Sequence, residues 1–352
     1  MKKLFQVLMC LCLFTAFSTI TETAFAKNDF KMAWSHYTGW EPWQFIKDFG
    51  LMDKWAKKYG ISVDIVLVND YMESVAQFTA GAFDAVAVTN MDALTNPALG
   101  GVATEAVIVG DYSNGNDGVA TKSGSKMSDI KGRNLKLVAL SVSHYLLARC
   151  LQKAGMTEKD VSVTNVSDAD INAQFATDPN KTVTVVTWNP ILMSIRQLPG
   201  VTVLCDSSQI PGEILDMLVV NKAVDERFKK AVTGSWFEAA AMMKTGAVGN
   251  AKALAAMAKS AGGTLAEYKR QLTTTYMFYT PADAVAYIIG KQLKETMEFV
   301  RTFCFDHGLY GKAKSKDEVG IQFPDGTIMG DPGNVKMFFT DRYMQMASDG
   351  QL

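Results

Sequence analysis

The chain has 352 residues, with 35 Lys or Arg against 36 Asp or Glu and a formal net charge of −1. That balance leaves no concentrated basic surface for nucleic acid and no pull toward anionic lipid. The length suits two domains, and an apolar share of 48% is enough for a core in each.

The first expected element is a targeting segment. Lys2 and Lys3 form a charged start, Leu4 to Ile20 is mainly apolar, and Ala24-Phe25-Ala26 puts small residues where a signal peptidase reads. Residues 1–26 are therefore expected to be a cleavable signal peptide, with an uncleaved anchor as the alternative. Cys10 and Cys12 follow Met9 and Leu11, unlike the small residues that precede a lipidated cysteine. Beyond the signal, Cys150, Cys205 and Cys304 are far apart and odd in number, so they form neither a disulfide framework nor a spaced zinc site. They read as small buried hydrophobes, with one disulfide plus a free thiol as the alternative in an oxidising compartment.

Strands and helices then alternate, the pattern of parallel sheets with crossover helices. Phe30 to Trp34 reads as a strand, followed by the polar, aromatic turn Ser35-His36-Tyr37-Thr38-Gly39-Trp40-Glu41-Pro42-Trp43. A helix starts near Pro42, where a missing N–H costs nothing, and continues to Tyr59. Ile61 to Val68 is a strand, Met72 to Thr79 a helix, and Ala85 to Val88 a strand ending at Thr89-Asn90. Val107 to Val109 is a strand that runs into the turn-forming stretch Asp111 to Gly118, where the chain first crosses between lobes. A helical turn at Met127 to Gly132 is followed by strands at Leu135 to Leu140, Val161 to Val166, Val183 to Thr187 and Val201 to Leu204. Helices at His144 to Ala154, Ala169 to Ala176 and Ile191 to Leu198 separate them. Leu215 to Val220 carries the chain back. The remainder reads as mainly helical: Asp225 to Lys244, Ala251 to Ala261, Leu265 to Leu272, and one long helix from Pro281 to His307 capped by Thr280. This gives lobe 1 as residues 27–115 plus 216–352 and lobe 2 as residues 116–215.

The order of motifs resembles the nitrate/taurine-type family of periplasmic solute-binding proteins. The matching pieces are Trp34 to Trp43, Phe78-Thr79-Ala80-Gly81-Ala82-Phe83-Asp84-Ala85, Gly118 to Lys122 with Ser128-Asp129-Ile130-Lys131-Gly132-Arg133, and Thr187-Trp188-Asn189-Pro190. The opening Ser-His-Tyr-Thr-Gly-Trp-Glu-Pro-Trp resembles a subgroup found with urea-carboxylase-type systems, which implies urea or guanidine as ligand. The resemblance implies a two-lobed α/β fold of the type II periplasmic-binding class with a ligand cleft between the lobes. It also implies a monomer in the periplasm that delivers its ligand to an inner-membrane ABC permease. A periplasmic sensor and a thiamine-pyrimidine-synthase-like enzyme of the same fold are the alternatives; of the enzyme's cysteine-rich motif only Phe303-Cys304-Phe305 gives an echo.

Strand ends are where open α/β sheets bind ligands. Here Glu41, Asp92, Asp111, Asp117 and Glu213 are acidic. No Lys or Arg occurs in Ser35 to Trp43, Thr89 to Asp92, Asp111 to Gly118 or Thr187 to Pro190. Anion sites recruit guanidinium or ammonium groups, so a small planar cation is the better fit, guanidinium before urea or a small amide. Trp40, Trp43, Tyr37, Tyr112 and Trp188 offer aromatic faces for it. The expected ligand contacts are Trp40, Glu41, Asp92, Asp111, Tyr112, Ser113, Ser143, His144, Trp188, Asn189 and Glu213, with Asp84 structural. No cofactor, metal or nucleic acid is expected. His36, His144 and His307 lack metal-ligand spacing, and Ser123-Gly124-Ser125-Lys126 and Lys244-Thr245-Gly246 lack the companion motif of a penicillin-binding enzyme.

Overall fold

The computed structural model describes residues 27–180 and 182–352; the signal-peptide assignment at 1–26 lies outside the described residues. Among the described residues no helix is long and apolar enough to cross a membrane.

Two sheets divide the molecule. The chain starts in the larger one with β1 (Asp29–Trp34), β2 (Ser62–Leu67), β3 (Ala85–Thr89) and β4 (Thr104–Ser113). It crosses to the smaller one for β5 (Asp117–Thr121), β6 (Asn134–Leu137), β7 (Ser162–Asn165), β8 (Thr184–Trp188) and β9 (Thr202–Asp206). It returns with β10 (Leu215–Asn221), β11 (Thr275–Met277), β12 (Gly320–Gln322), β13 (Ile328–Met329) and β14 (Val335–Phe339). The larger sheet runs β13-β12-β14-β4-β10-β3-β1-β2 with β11 beside β4, and the smaller β7-β6-β8-β5-β9. The sheets are mixed. β1 is parallel to β2 and β3, and β6 to β7 and β8. The strands at the two crossings run against their neighbours: β10 against β3 and β4, β5 against β8 and β9.

Helices cover both sheets. They are α1 (Pro42–Asp48), α2 (Leu51–Tyr59), α3 (Tyr71–Thr79), α4 (Asn90–Ala93), α5 (Val142–Lys153), α6 (Asp168–Thr177), α7 (Ile191–Arg196), α8 (Glu226–Met243), α9 (Asn250–Ser260), α10 (Leu265–Leu272), α11 (Pro281–Ile288), α12 (Lys291–Asp306) and α13 (Arg342–Ser348). Strand β3 is buried along its whole length, as its unbroken apolar run requires of a central strand. Trp43 packs its ring on Trp236, centroids 4.8 Å apart, and both are almost fully buried. Each such ring contributes several kcal/mol through ~150–250 Å² of buried area. Trp43 is therefore a core residue rather than a ligand face.

The sequence reading is corrected in four places. The helix expected from Pro42 to Tyr59 is two, because Gly50 takes φ of 68° between α1 and α2. The helix expected from Pro281 to His307 breaks at Ile289-Gly290. A C-terminal run expected to be helical supplies β11 to β14. Finally, Cys150 and Cys205 are disulfide-bonded, joining α5 to β9, whereas Cys304 is a buried free thiol held well above its ordinary pKa by burial.

Candidate functional site

A small cavity lies where the strands of the two sheets meet. Its walls are Tyr37, Trp40, Tyr71, Thr89, Asp117, Val142, Trp188, Ile214 and Asp216. The free space inside is about 10 Å³, the room of one water, so even a solute of four heavy atoms enters only by parting the walls.

Aromatic rings form one continuous side. Tyr37 and Trp40 lie 5.1 Å apart between centroids, Trp40 and Tyr71 5.6 Å, and Tyr71 and Trp188 5.7 Å. Tyr71 fixes this wall from both lobes. Its hydroxyl donates to Asp92 Oδ2 at 2.7 Å and accepts from the Thr89 amide at 3.1 Å, while its own amide donates to Asp168 Oδ1 of α6 at 3.2 Å. Trp188 also bridges the lobes, donating from Nε1 to the His36 carbonyl at 3.2 Å.

Acids form the other side. Asp216 sits opposite Asp111 in the β10–β4 ladder. The register slips next to this pair, so Met217 faces Val109 and Gly110 is the extra residue. Such a bulge re-aims one side chain: Asp111 points to the face opposite Val109, although the two are only two residues apart. The Tyr37 hydroxyl donates to Asp111 Oδ1 at 3.2 Å. A Cβ added at Gly39 would overlap the Asp111 carboxylate, so only glycine lets the aromatic turn approach so closely. Asp117, at the start of β5, accepts from Ser113 Oγ at 2.5 Å, and Ser113 in turn meets Ser207 Oγ at 2.6 Å.

These acids are short of partners. Asp92, Asp111 and Asp216 are at most 2% exposed, and Asp92 Oδ1, Asp111 Oδ2 and Asp216 Oδ2 accept no hydrogen bond from any protein donor. An unmatched buried polar atom costs about 1–3 kcal/mol, and more when charged. Burial pushes Asp92 up to about 6 and both Asp111 and Asp117 up to about 7. Asp216 is held well above the carboxylate range by burial and by the charges of Asp111 and Asp117. No Lys, Arg or His lines the cavity.

The structure gathers part of the expected set here. Trp40 and Trp188 line the cavity, and Asp111 backs it through its pairing with Asp216. Asp92 lies one hydrogen bond behind Tyr71, and Ser113 one behind Asp117. Ser143 is buried beside Val142 with its Oγ unpartnered. Asn189, preceding a cis Pro190, bonds from Nδ2 to Asn116 Oδ1 at 2.8 Å and Thr274 Oγ1 at 3.2 Å near the first crossing.

The other four lie elsewhere. Glu41 turns away from the cavity, pairing with His36 Nδ1 at 2.9 Å and accepting from Ser260 Oγ at 2.5 Å. Tyr112, neighbour to Asp111 and so on the opposite strand face, stacks on Tyr276 with centroids 4.6 Å apart. His144 and Glu213 also lie outside the cavity: His144 pairs with Glu158, which lines a rim groove of about 980 Å³ between α5 and α12, and Glu213 pairs with Arg149 of α5. Glu158 takes His144 Nε2 at 2.9 Å from its own lobe and His307 Nε2 at 2.8 Å from the other. Glu213 is held by Arg149 Nε and Nη2, each at 2.9 Å, and by the Tyr145 hydroxyl at 2.6 Å. Sequence reasoning passed over Asp216 and Tyr71. The signal for Asp216 was a lone acid inside the apolar strand Leu215-Asp216-Met217-Leu218-Val219-Val220.

Three solved structures resemble the whole two-lobed body. The alkanesulfonate-binding protein from Xanthomonas axonopodis pv. citri bound to MOPS aligns with a TM-score of 0.68 at 15% identity, over 82% of this chain and 96% of its own. The periplasmic aliphatic sulphonate binding protein from Escherichia coli gives 0.65 at 17% over 82% and 95%. The periplasmic nitrate-binding protein from Synechocystis PCC 6803 gives 0.55 at 12% over 93% and 99%. At such identities the likeness establishes the fold, the two-lobed type II periplasmic-binding architecture with its cleft between the lobes. A comparison with curated proteins finds no match. The family model described as NMT1/THI5 like matches residues 50–233. That span takes in both crossings and the acids Asp92, Asp111, Asp117 and Asp216, and this chain belongs to the NMT1/THI5-like family.

Proposed function

We propose that the chain is the extracytoplasmic solute-binding subunit of an ABC importer. It captures a small planar nitrogenous cation, guanidinium first and urea or a small amide second, and delivers it to an inner-membrane permease. The observation that carries this reading is unmet demand at the cavity: Asp216 in its wall and Asp111 paired behind it each keep a buried oxygen without a donor, beside a wall of aromatic rings and no cationic side chain. Guanidinium supplies in-plane N–H donors for the carboxylates and a flat cationic face for the rings, worth about 0.5–2 kcal/mol per contact. The named structural relatives bind sulfonates and nitrate. The acids here would repel such an anion by several kcal/mol in a water-poor site, so fold likeness does not carry the ligand across.

The proposed contacts are Tyr37, Trp40, Tyr71 and Trp188 as rings and Asp111, Asp117 and Asp216 as acceptors, with Asp92 and Ser113 holding the shell behind them. Closure of the lobes over the ligand follows from its bridging both. Isothermal titration calorimetry with guanidinium, urea, nitrate and taurine tests the reading. Guanidinium is expected to bind tightest and the two anions not at all; tight nitrate or taurine binding would end it.

A further inference from the structure

Asp111 and Asp216 face each other across the β10–β4 ladder, both fully buried. As directly paired residues of neighbouring antiparallel strands they project their carboxyl groups from the same face, with Cβ atoms about 5 Å apart. Ionised carboxylates are acceptors only, so two of them meet in this way only with a proton between them. The same pair leaves Asp111 Oδ2 and Asp216 Oδ2 without any other donor.

We propose, resting on the cationic reading above, that the Asp111–Asp216 pair holds one shared proton in the ligand-free protein and exchanges it for the ligand's N–H donors on binding. The proton leaves to solvent as the cation enters, so charge is conserved within the pair. The ligand must then carry N–H groups. A quaternary ammonium satisfies the rings and the charge but leaves both oxygens unmatched.

The surroundings favour a held proton. The groups that bear on the pair are acids and phenols: Tyr37 from the aromatic turn, Asp117 from β5, Tyr268 from α10, and Tyr279 beyond β11. Asp92 of α4 and Asp206 of β9 act on Asp117 in turn. Burial and this negative company raise both members of the pair. A site of three acids meeting a single positive charge would otherwise remain strongly negative out of water, which costs several kcal/mol per unpaired ion.

The test is calorimetry of guanidinium chloride binding at pH 8, where Asp111 and Asp117 have lost their protons and the pair keeps one, repeated in buffers of different ionisation enthalpy. About one proton released per guanidinium bound is expected, with affinity rising up to about 10-fold per pH unit above pH 7. Asp216→Asn should keep weakened binding but lose most of the proton release and flatten the pH dependence. Tetramethylammonium should bind at least about 100-fold more weakly than guanidinium, in line with a site whose polar groups are left unpaired. Guanidinium binding with no proton release and a flat pH profile would overturn the exchange while leaving the cationic reading intact. Equal binding of tetramethylammonium would also overturn it. Failure of every cation to bind at any pH would overturn both.

Discussion

Two crevices separate the lobes, and the larger has the less to ask of a ligand. At the rim, between α5 and α12, about 980 Å³ is open, yet most of the acids lining it already have cationic partners. Glu158 has His144 and His307, Glu295 has Lys291, and Glu298 has Arg301 and Lys316. In the central cavity there is room for one water, and Asp216 in its wall and Asp111 behind it each have a carboxyl oxygen with no protein donor. Volume measures what fits, whereas unmatched buried polarity measures what is missing. A protein that leaves carboxylates unpaired in its interior carries a cost that a bound solute, a proton or a trapped water must offset.

The sharpest way to separate the two crevices is pH. Asp111 and Asp117 hold protons in the folded state up to about pH 7, whereas an unfolded chain loses them near 3.8, the ordinary value of an aspartate. Between those limits the folded form binds more protons, so rising pH favours unfolding. The ligand-free protein should lose on the order of 5 kcal/mol of stability from pH 4 to pH 7, then level off. Thermal melts should show a fall of roughly 10 °C. The rim acids predict no such fall, because Glu158 is held below its ordinary value, the His144 hydrogen bond and the charges of His307 and His144 outweighing burial. A melting temperature that is flat over this range would remove the buried-acid description of the cavity.

Substitutions should grade in the same way. Asp117→Asn is expected to weaken guanidinium binding about 100-fold by calorimetry, as loss of a buried charge partner does. Trp188→Ala, which removes one ring and the bond to the His36 carbonyl, should cost roughly 10-fold without unfolding the protein. Gly39→Ala pushes on the Asp111 carboxylate and should cost about 5-fold. Glu158→Gln, at the rim, should change affinity less than about 2-fold, the scale of an exposed ion pair. A larger loss from Glu158→Gln than from Asp117→Asn would invert the comparison.

Much of this was legible in the residues, for physical reasons. Apolar runs such as Ala85 to Val88 can only be buried strands, and Thr280 with Pro281 marks a helix start that the structure keeps, Thr280 Oγ1 accepting from the Asp283 amide at 3.2 Å. The acidity of the strand ends and their lack of Lys or Arg were readable directly, and the cavity lining keeps both features, with Asp117 and Asp216 in it and no Lys, Arg or His. The failures share a cause. Asp111 to Gly118 is rich in turn formers, so the strand that runs on through Ser113 and the next that begins at Asp117 were hidden by local preference, which the sheet overrides. Gly290 splits a helix whose periodicity runs straight through it. Glu213, His144 and Glu41 stand near strand or helix ends as Asp111 does, but their fate depended on whether a cation or hydroxyl lay opposite in space, and linear order does not record that.

The positions of Asp111, Asp117 and Asp216 have one more consequence. Each stands within two residues or so of a point where the backbone passes from one sheet to the other. In the proposed reading, the parts that would sense the cargo are thus the axle on which the halves would swing, with no lever arm between them. Loading would register first as a change in how the pivot is wound, and a transporter could tell full from empty by the angle of the two shells without touching the cargo.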